Sequence, residues 1–486
     1  MVFSWQITGI FVFNAYFQQL DSLLFQSRHL WQIQPFHHQD ILWQNISVQV
    51  DAKRGQLEPQ ITLAQALDQL SDKQLLELQQ DVHKLANWLT PWFPEAPLLI
   101  TLNQQLLPSN PSTKPNLKQA NKLSTPIQTL PIESAELKRF AQGIPGRKWQ
   151  QMRYFSLQFN QMMIHVDNLS TVSAQDFTKT QDQPVDKTTQ VLEWCAGKGH
   201  LGRLIAFEQQ LGGQESWDKP SQDKPSENKQ SYQITSLEWQ QSLCEKGQQQ
   251  AEKYQLPQNF IHDDAFSEAA GQLLTEDTHA IALHACGDLH CQLIYHVSQQ
   301  KAKSVLIAPC CYHLIRSERY YPLSKQAQQS DIQLSKQDLK IPLQETVTGG
   351  QRIGNLRDIE LHWRMAFDEL QREQQQCNQY QPLPTLPKNL LTGEFKYFIH
   401  WAVENRQLNI AVDKLNLDLY LEKGQQRVQQ IRRMELVQHL FRRPLELWLI
   451  LDRAMALEET GFHVELTEFC QKSLTPRNIL IKAYRP

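Results

Sequence analysis

The chain has 486 residues, with 48 Lys and Arg against 51 Asp and Glu, a net charge of −3 and eight cysteines. At roughly 150 residues per domain, this length allows two or three domains. The balanced charge excludes the strong basic excess of a protein that coats DNA, so no DNA partner is expected. The cysteines are too few and too scattered for a secreted disulfide scaffold, and the chain lacks an apolar run of roughly 18 residues. We therefore expect a cytoplasmic protein with reduced cysteines and no membrane partner.

The first 107 residues predict a helical N-terminal module. Leucine and alanine recur at helical spacing between Leu63 and Leu78. Residues 1–17 are aromatic and apolar in patches, but they lack a basic start and a small-residue cleavage site, so we interpret them as a buried helix. A proline-rich stretch followed by polar residues predicts a linker over 108–126.

From residue 127 onward, short apolar strands alternate with amphipathic helices. This alternation indicates a parallel sheet covered by helices on both faces. The predicted strands lie at Val191–Leu192, Tyr232–Leu237, Asn259–Ile261, Ala280–Leu283 and Ser304–Ala308. The hydrophilic stretch at 212–231 predicts a flexible insertion. Residues 127–316 therefore form the first part of an α/β core.

The rest of the chain predicts an insertion and then the end of the same sheet. Residues 317–440 are mixed and helix-rich. Within 441–486, a long helix is predicted from Pro444 to Thr460, followed by a hairpin of two strands, Phe462–Phe469 and Asn478–Tyr484. Five parallel strands that end in a helix and a hairpin are a specific topology.

The main motif is a glycine-bearing turn, Glu193-Trp-Cys-Ala-Gly-Lys-Gly-His-Leu-Gly202, between a strand and a helix. Glycines let the backbone turn sharply and approach a ligand closely, and the helix N-terminus presents free N–H groups. Two ligands fit such a place: the pyrophosphate of a dinucleotide, or the amino-acid end of S-adenosylmethionine (SAM). The spacing of Gly197, Gly199 and Gly202 matches the dinucleotide fingerprint, so the glycines alone leave both open.

Acidic residues favour SAM over a dinucleotide. Glu193 is placed to repel a pyrophosphate and to pair with an α-amino group, directly or through water. Glu238 ends the next strand, where a carboxylate binds ribose hydroxyls. Asp264 follows the third strand, where it can accept a hydrogen bond from an adenine amino group; the alternative for Asp263 and Asp264 is a helix cap.

The stretch from Glu193 to Gly202 resembles motif I of the class I SAM-dependent methyltransferases. Three further stretches resemble a methyltransferase-like family that includes glutathione S-transferase C-terminal domain-containing protein: His284–Leu289 (HACGDL), Ala308–His313 (APCCYH) and Thr475–Asn478 (TPRN). The resemblance implies a Rossmann-like, seven-stranded class I methyltransferase sheet, here with a helical N-terminal module and a helix-rich insertion after the fifth strand. SAM is the implied cofactor. Cys195 departs from the family pattern, since many members have glycine there.

Polar residues at the ends of the fourth and fifth strands are the candidates for binding the methyl acceptor, because ligands bind at the carboxyl ends of such sheets. We assign His284 to the cofactor side with Cys195, and Cys286 to the substrate rim. The catalytic candidates are Asp288, Cys310, Cys311, Tyr312 and His313.

Three interpretations of this cluster remain open. The first is acceptor positioning, which methyl transfer from a sulfonium needs most. The second is a cysteine nucleophile. The third is a metal site built from the histidines and cysteines of 284–313, but no Cys-x-x-Cys pair supports it, so we predict no metal site. A fourth alternative is that the cysteines are small buried hydrophobes, which we favour for Cys244 and Cys470.

Basic residues raise the question of an RNA partner. Arg477 and Asn478, in the last hairpin, are expected on the rim of the site. Further arginines gather at 352, 357 and 364, and at 432, 433, 442 and 443. They can form a phosphate-binding surface or an ordinary salt-bridged helix surface.

Three functional hypotheses follow. The first is a SAM-dependent methyltransferase with an unidentified acceptor, for which RNA is a candidate. The second is a non-catalytic module that binds SAM or RNA on a methyltransferase fold. The third is an NAD-linked oxidoreductase, which requires Glu193 to tolerate a pyrophosphate and lacks a hydride-transfer constellation.

Overall fold

The structure is a computed structural model and describes most of the chain. The described residues are 8–48, 61–106, 130, 134–174, 188–212, 231–344, 351–376, 379–387 and 389–485. The predicted linker at 108–126 and nearly all of the predicted insertion at 212–231 lie outside these residues.

Nine strands and fifteen α-helices occur in the described residues. The strands are β1 (Ser47–Val48), β2 (Ile61–Thr62), β3 (Thr188–Trp194), β4 (Ser231–Glu238), β5 (Gln258–His262), β6 (Thr278–Ala282), β7 (Ser304–Ile307), β8 (His463–Glu468) and β9 (Ile479–Tyr484). The helices are α1 (Thr8–Gln26), α2 (Arg28–Trp31), α3 (Leu63–Asp68), α4 (Asp72–Gln80), α5 (Val82–Leu89), α6 (Ala96–Leu106), α7 (Ala135–Phe140), α8 (Gly146–Ala174), α9 (His200–Gly212), α10 (Gln241–Lys253), α11 (Glu268–Gln272), α12 (Asp288–Gln299), α13 (Gln351–Gln375), α14 (Phe395–Asn405) and α15 (Leu417–Glu458).

Seven strands form one sheet in the order β5-β4-β3-β6-β7-β9-β8. β3 to β7 are parallel, and β9 runs antiparallel to both β7 and β8. The chain moves from β3 outward to β5 and then crosses back to β6, so the strand order reverses between β3 and β6. Such a reversal opens a crevice at the carboxyl ends of the strands, where ligands bind. The predicted fold class is confirmed.

The strands are apolar because helices cover the sheet. All five residues of β6 and all six of β9 are buried. On one face, α8 and α9 pack against the strands in a cluster that includes Phe155, Phe159 and Leu204, each fully buried. Burial on both faces explains the continuous apolar runs that identify these strands in the sequence.

The chain divides into two compact units. Unit 1 comprises Met1–Phe25, Leu102–Leu343 and Leu445–Pro486, and contains the large sheet. Unit 2 comprises Gln26–Thr101 and Gln344–Pro444. This grouping differs from the predicted division at 107, 316 and 440.

Long-range contacts inside unit 2 explain the difference. Gln438 donates to the carbonyl of Trp31 at 2.8 Å, and Arg433 donates to the carbonyl of Leu67 at 2.9 Å. Composition marks where a chain changes character, but it carries no information on which distant segments pack together. A buried ion pair of Arg372 with Asp368, at 2.7 Å, lies in the same unit.

The last long helix differs from its prediction. The sequence predicts a start at Pro444, yet α15 runs without a break from Leu417 to Glu458 with Pro444 inside it. A proline removes one backbone donor and disfavours a helix interior. Phe441 before it and Trp448 after it are both fully buried, so side-chain packing on each side outweighs that preference. Among the described residues, no helix combines the length and apolarity required to span a bilayer.

Candidate functional site

The glycine loop, residues 195–199, turns sharply from β3 into α9. Cys195, Gly197 and Gly199 all have a positive φ, of 56°, 61° and 63°. A Cβ on Gly199 would lie 2.3 Å from the Phe260 ring and 2.5 Å from Nε2 of Gln258, so only glycine fits there. The loop is thus held between β3, β4 and β5. Cys195 adopts a left-handed conformation that is uncommon for a residue with a side chain.

The outer side of the glycine loop is open. A Cβ built on Gly197 meets no described atom within 4 Å. Glu238, at the end of β4, accepts hydrogen bonds from the backbone N–H groups of Gly197 at 2.8 Å and Gln240 at 2.9 Å. An open glycine beside a carboxylate at the next strand end fits the methionine and ribose parts of SAM. Glu238 and Gly197 therefore lie together at the ends of β4 and β3, and their roles in binding SAM stay a prediction.

Glu193 differs from its predicted role. Its side chain is only 4% exposed and accepts a hydrogen bond from Ser236 at 2.8 Å. A Cβ on Gly202 would lie 2.7 Å from its carboxylate, so Glu193 sits beneath the start of α9. Burial raises the pKa of Glu193 to about 7. This residue supports the glycine loop from below, because its strand register turns it inward and away from the open edge.

Asp264 lies just beyond β5, half-buried at the same edge of the sheet. Its carboxylate accepts the N–H of Phe266 at 3.0 Å. The cap of the following helix α11 is Ser267, which accepts the N–H of Ala270 at 2.9 Å. Asp264 therefore closes a turn instead of capping the helix, and its assignment to adenine stays a prediction.

The thiol cluster consists of Cys286, Cys310 and Cys311, whose sulfur atoms all lie within 4.8 Å of one another. The Sγ atoms of Cys286 and Cys310 are 3.5 Å apart. All three residues are half-buried, whereas Cys244 and Cys470 are buried as expected. These three cysteines belong to the metal-site alternative that the sequence spacing did not support, because they come from two strand ends that the parallel sheet brings together.

Mutual hydrogen bonds make the three thiols unequal. Hydrogen bonds from Cys286 and then Cys310 lower the pKa of Cys311 below that of an ordinary thiol, and electrostatic interactions with His313 and Arg477 act in the same direction. The pKa of Cys310 is raised, first by its hydrogen bond with Cys286 and then by the one with Cys311. Cys311 is therefore the member with the greatest thiolate character. It also has a positive φ of 47°.

Backbone hydrogen bonds fasten the two segments of the cluster to each other. The N–H of Gly287 donates to the carbonyl of Cys310 at 3.1 Å, and that of Asp288 donates to Leu314 at 3.0 Å. A Cβ on Gly287, where φ is 56°, would lie 2.0 Å from the Leu314 carbonyl oxygen. The Asp288 carboxylate accepts the N–H of Arg316 at 2.7 Å. Asp288, predicted as a base, instead closes this junction.

Tyr312, predicted as a catalytic candidate, does not face the open edge of the sheet. It is 1% exposed, and its hydroxyl donates to Glu446 at 3.3 Å, away from the open edge. Tyr312 lies in the turn that follows Cys311, and its hydroxyl faces Glu446 on α15, so the side chain does not reach the site. His313 is half-buried, and its buried Nδ1 has no hydrogen-bond partner among the residues that the structure describes. His284 is exposed at the end of β6.

A buried polar network lies beneath the 284–288 segment. Arg453 on α15 donates to Nε2 of His290 at 2.8 Å, and His290 donates through Nδ1 to the carbonyl of Ala285 at 2.9 Å. Arg453 also donates to the hydroxyl of Tyr320 at 3.1 Å. This network excludes His290 as a metal ligand, and it is absent from any local sequence pattern because its members lie 163 residues apart.

The two residues of the last hairpin that are predicted on the rim, Arg477 and Asn478, have different environments in the structure. Asn478 is fully buried and donates to the carbonyl of Cys470 at 2.7 Å, so it holds the hairpin together and does not reach the rim. Arg477 is half-buried, and its charge acts on Cys311. Arg477 therefore lies near the thiol cluster as predicted.

Lys148, near the start of α8, is not among the site residues predicted from the sequence. Its charge acts on Glu193, His200 and His284, which places it above the glycine loop. Burial lowers the pKa of Lys148. The available signal was its place in the helix that leads into the first strand of the sheet.

The arginines proposed as an RNA surface have protein partners. Arg364 donates to Glu360 and to the carbonyls of Leu383 and Pro384, at 2.9 to 3.0 Å. Arg432 pairs with Asp358 at 2.9 Å. These contacts favour the alternative of a salt-bridged helix surface. The side chain of Arg352 lies outside the described residues.

Comparison with known proteins bears on this site. A family model described as a methyltransferase domain matches residues 221–318, from the segment before β4 to the segment after the thiol cluster. Curated proteins provide no match.

Solved structures with some similarity include magnesium protoporphyrin IX methyltransferase from Synechocystis PCC 6803 with bound SAH, at 13% identity and a TM-score of 0.20, covering 35% of this chain and 63% of that one. The methyltransferase domain of the citrinin polyketide synthase matches at 12% identity and a TM-score of 0.27, covering 97% and 79%. The chain thus spans under two thirds of the first of these proteins. With such low scores, these two structures add no support to the assignment.

The matched segment contains β4 to β7, and the glycine loop that precedes it has the geometry described above. The strand order of the sheet is that of a class I fold, with an antiparallel final strand. Residues 221–318 of this chain are therefore similar to a methyltransferase domain.

Proposed function

We propose that the domain methylates an acceptor that enters between residues 284–288 and residues 310–313. The observation that carries this proposal is the proximity of the two halves of the site. The glycine loop follows β3 and the 284–288 segment follows β6, its neighbour in the sheet, and Cys286 acts electrostatically on Cys195. When bound, SAM supplies the methyl group as a reactive sulfonium.

The described residues would hold the cofactor in an extended arrangement along the strand ends. The backbone of Gly197 and Gly199 would lie against its methionine part, Glu238 would accept hydrogen bonds from the ribose hydroxyls, and Asp264 would accept one from the adenine amino group. These roles follow from the order of the strand ends β3, β4 and β5. Glu193 would act indirectly, by supporting the loop.

On the acceptor side, positioning is the main task, because a sulfonium transfers its methyl group to a nucleophile held in line with it. Cys311, with its lowered pKa, is the residue best suited to orient an acceptor. His313 lies beside it, and each of the two charges acts on the other. We do not assign such a role to Asp288 or Tyr312, because their polar groups make hydrogen bonds within the protein, to Arg316 and Glu446 respectively.

RNA is the acceptor that we propose to test first. Lys148 and Arg477 bring positive charge to the two ends of the site, and Arg316 is exposed nearby with its guanidinium over the ring of Phe266. Phosphate groups are attracted by such charge. The narrower family that the sequence motifs resemble, and a cytoplasmic location, belong to the same proposal.

The first experiment is calorimetric titration of the purified protein with SAM and with NAD. We expect SAM to bind and NAD not to bind. Glu238→Ala should weaken SAM binding by at least about tenfold, the value of a lost hydrogen bond to a charged group. Gly143→Ala, at a turn with open space around it, is the matched control. Absence of SAM binding by well-folded protein contradicts the proposal.

The second experiment identifies the acceptor class. Labelled SAM is incubated with fractions of RNA, protein and small molecules, using wild type and Cys311→Ser. Label that enters RNA, and that is lost with Cys311→Ser while SAM binding persists, supports the proposal. Label that enters another fraction identifies that fraction, in place of RNA, as the class of the acceptor. SAM binding without any transfer favours the non-catalytic module.

A further inference from the structure

The thiol cluster has the spacing of a set of metal ligands. Its three sulfur atoms lie within 4.8 Å of one another, and one pair is 3.5 Å apart. Zinc–sulfur bonds of about 2.3 Å in a tetrahedron place two sulfurs about 3.8 Å apart. The 3.5 Å pair is close to that value and the other two pairs are at most 4.8 Å apart, so the three sulfurs lie within reach of one ion.

The backbone holds the three cysteines in place independently of any ion. Cys286 and Cys310 face each other as a parallel bridge between the two segments. The Gly287 and Asp288 hydrogen bonds described above hold one segment against the other. The turn after Cys311 closes with a 2.9 Å hydrogen bond from Leu314 to the Cys311 carbonyl. A preorganised set of ligands loses little freedom when it binds.

Two simpler explanations fit less well. Cysteines that serve as small hydrophobes are buried, as Cys470 is at 0% exposure, whereas the three members of the cluster are half-buried and open to ions from solvent. A disulfide between Cys286 and Cys310 would leave Cys311 unused, although Cys311 is held at a positive φ beside the other two. Neither explanation accounts for three thiols converging on one point.

The surrounding charge suits a thiolate site. Three thiolates and one divalent cation carry a net charge of −1, and Arg477 lies close enough for its positive charge to act on Cys311. His290 and Cys291 are engaged with Arg453, so among the described residues the cluster supplies three ligands. Zinc sites with three protein ligands keep a fourth position for water or substrate, unlike closed structural sites with four.

We propose that Cys286, Cys310 and Cys311 bind one thiophilic metal ion, Zn²⁺ under reducing conditions, with a fourth position open at the edge of the sheet. Soft thiolate ligands select zinc or copper(I) over magnesium and calcium. The proposal concerns binding alone and holds whatever the acceptor of the methyl group proves to be.

The test uses the full chain, purified under reducing conditions with a tag that does not bind metal. Metal content is measured by elemental analysis before and after chelation. The metal-free protein is then titrated with Co²⁺, whose thiolate complexes show a charge-transfer absorption, and the bound Co²⁺ is displaced with Zn²⁺. We expect one equivalent per chain.

Variants separate the cluster from the other cysteines. Cys311→Ser should weaken Co²⁺ binding by more than about 100-fold, beyond the effect of losing an outer-shell partner. Cys244→Ser, with its thiol outside the cluster, should bind as wild type does. Circular dichroism establishes that each variant is folded, and Cys286→Ala repeats the measurement if Cys311→Ser does not fold.

Three outcomes overturn the proposal: no charge-transfer absorption in reduced wild type, equal binding by Cys311→Ser, or a Cys286–Cys310 disulfide in protein prepared without air. Each is independent of SAM binding. The calorimetric experiment on SAM can therefore succeed while this one fails, and the reverse also holds.

Discussion

The glycine loop and the thiol cluster are adjacent at one edge of the sheet, but they are built differently. The glycine loop is a single strand–turn–helix stretch, in which Cys195, Gly197 and Gly199 are neighbours in sequence. The thiol cluster joins two segments 24 residues apart and is fastened by backbone bonds and by Arg453 from the distant α15. Local sequence therefore determines the first, and remote packing determines the second.

The largest expected effect is that of Gly287→Ala at the junction within the thiol cluster. The new Cβ overlaps the Leu314 carbonyl oxygen, 2.0 Å away, and the backbone has a positive φ. We expect the free energy of unfolding to fall by more than about 4 kcal/mol, measured by urea denaturation. Gly143→Ala, with positive φ but open space, should lose only about 1 kcal/mol. Equal losses in the two variants would show that the overlap relaxes.

Arg453→Met tests whether remote packing supports only the thiol cluster. Removing a buried charge that serves His290 and Tyr320 should reduce the free energy of unfolding by about 3 kcal/mol. The Ala285 carbonyl then loses its fixed partner, so thiol modification of the cluster should become faster. SAM affinity should change less than about threefold, because substitutions at distant sites have nearly independent effects.

Tyr320→Phe is the milder control for Arg453→Met, because it removes only the hydroxyl and should lower the free energy of unfolding by about 1 kcal/mol. A large loss of SAM affinity in Arg453→Met, with thiol reactivity unchanged, would contradict the comparison between the two regions.

Two alanine substitutions distinguish the inner and outer sides of the glycine loop. Gly199→Ala forces the Phe260 ring to move and should lower the free energy of unfolding by about 2 kcal/mol. Gly197→Ala meets no described atom and should lower it by about 1 kcal/mol, the effect of positive φ alone. SAM affinity, measured by calorimetry, should fall about tenfold in Gly197→Ala if the cofactor lies on the open side. Unchanged affinity would place the cofactor elsewhere.

A further effect is the pH dependence that Glu193 contributes. Burial raises its folded-state pKa to about 7, above its unfolded value, so the folded protein holds the proton more tightly. The free energy of unfolding should therefore fall as pH rises from about 4.5 to 7, by on the order of 2 kcal/mol from this residue. Denaturation of Glu193→Gln across this range should show a flatter profile.

Glu208 provides a matched control for Glu193. Burial raises the pKa of Glu208 to about 7 as well, and its carboxylate accepts a hydrogen bond from the hydroxyl of Ser156 on α8. Glu208→Gln should flatten the pH profile similarly and leave SAM affinity unchanged. A pH profile of Glu193→Gln identical to that of wild type would show that Glu193 is ionised in the folded state.

The positions of individual site residues follow from the same difference between local sequence and remote packing. Gly197 and Glu238 lie at the edge of the sheet that the sequence predicts, because Gly197 closely follows β3 and Glu238 ends β4, while Arg477 lies in the loop just before β9. Tyr312 and Asn478 are turned inward, although both occur in motifs that the family resemblance singles out. A motif identifies a segment, but whether a side chain faces solvent or the core depends on the conformation of each residue.

The sequence by itself determined the five parallel strands, the helix and hairpin that follow them, and the glycine loop, because these depend on local spacing. The motifs that resemble a methyltransferase family implied the seven-stranded sheet. Only the tertiary structure decided that 26–101 groups with 344–444, that α15 continues through Pro444, and that three thiols converge. These features depend on contacts between residues far apart in the chain. Such contacts arise when the parallel strands align their ends and the helices bury their apolar faces.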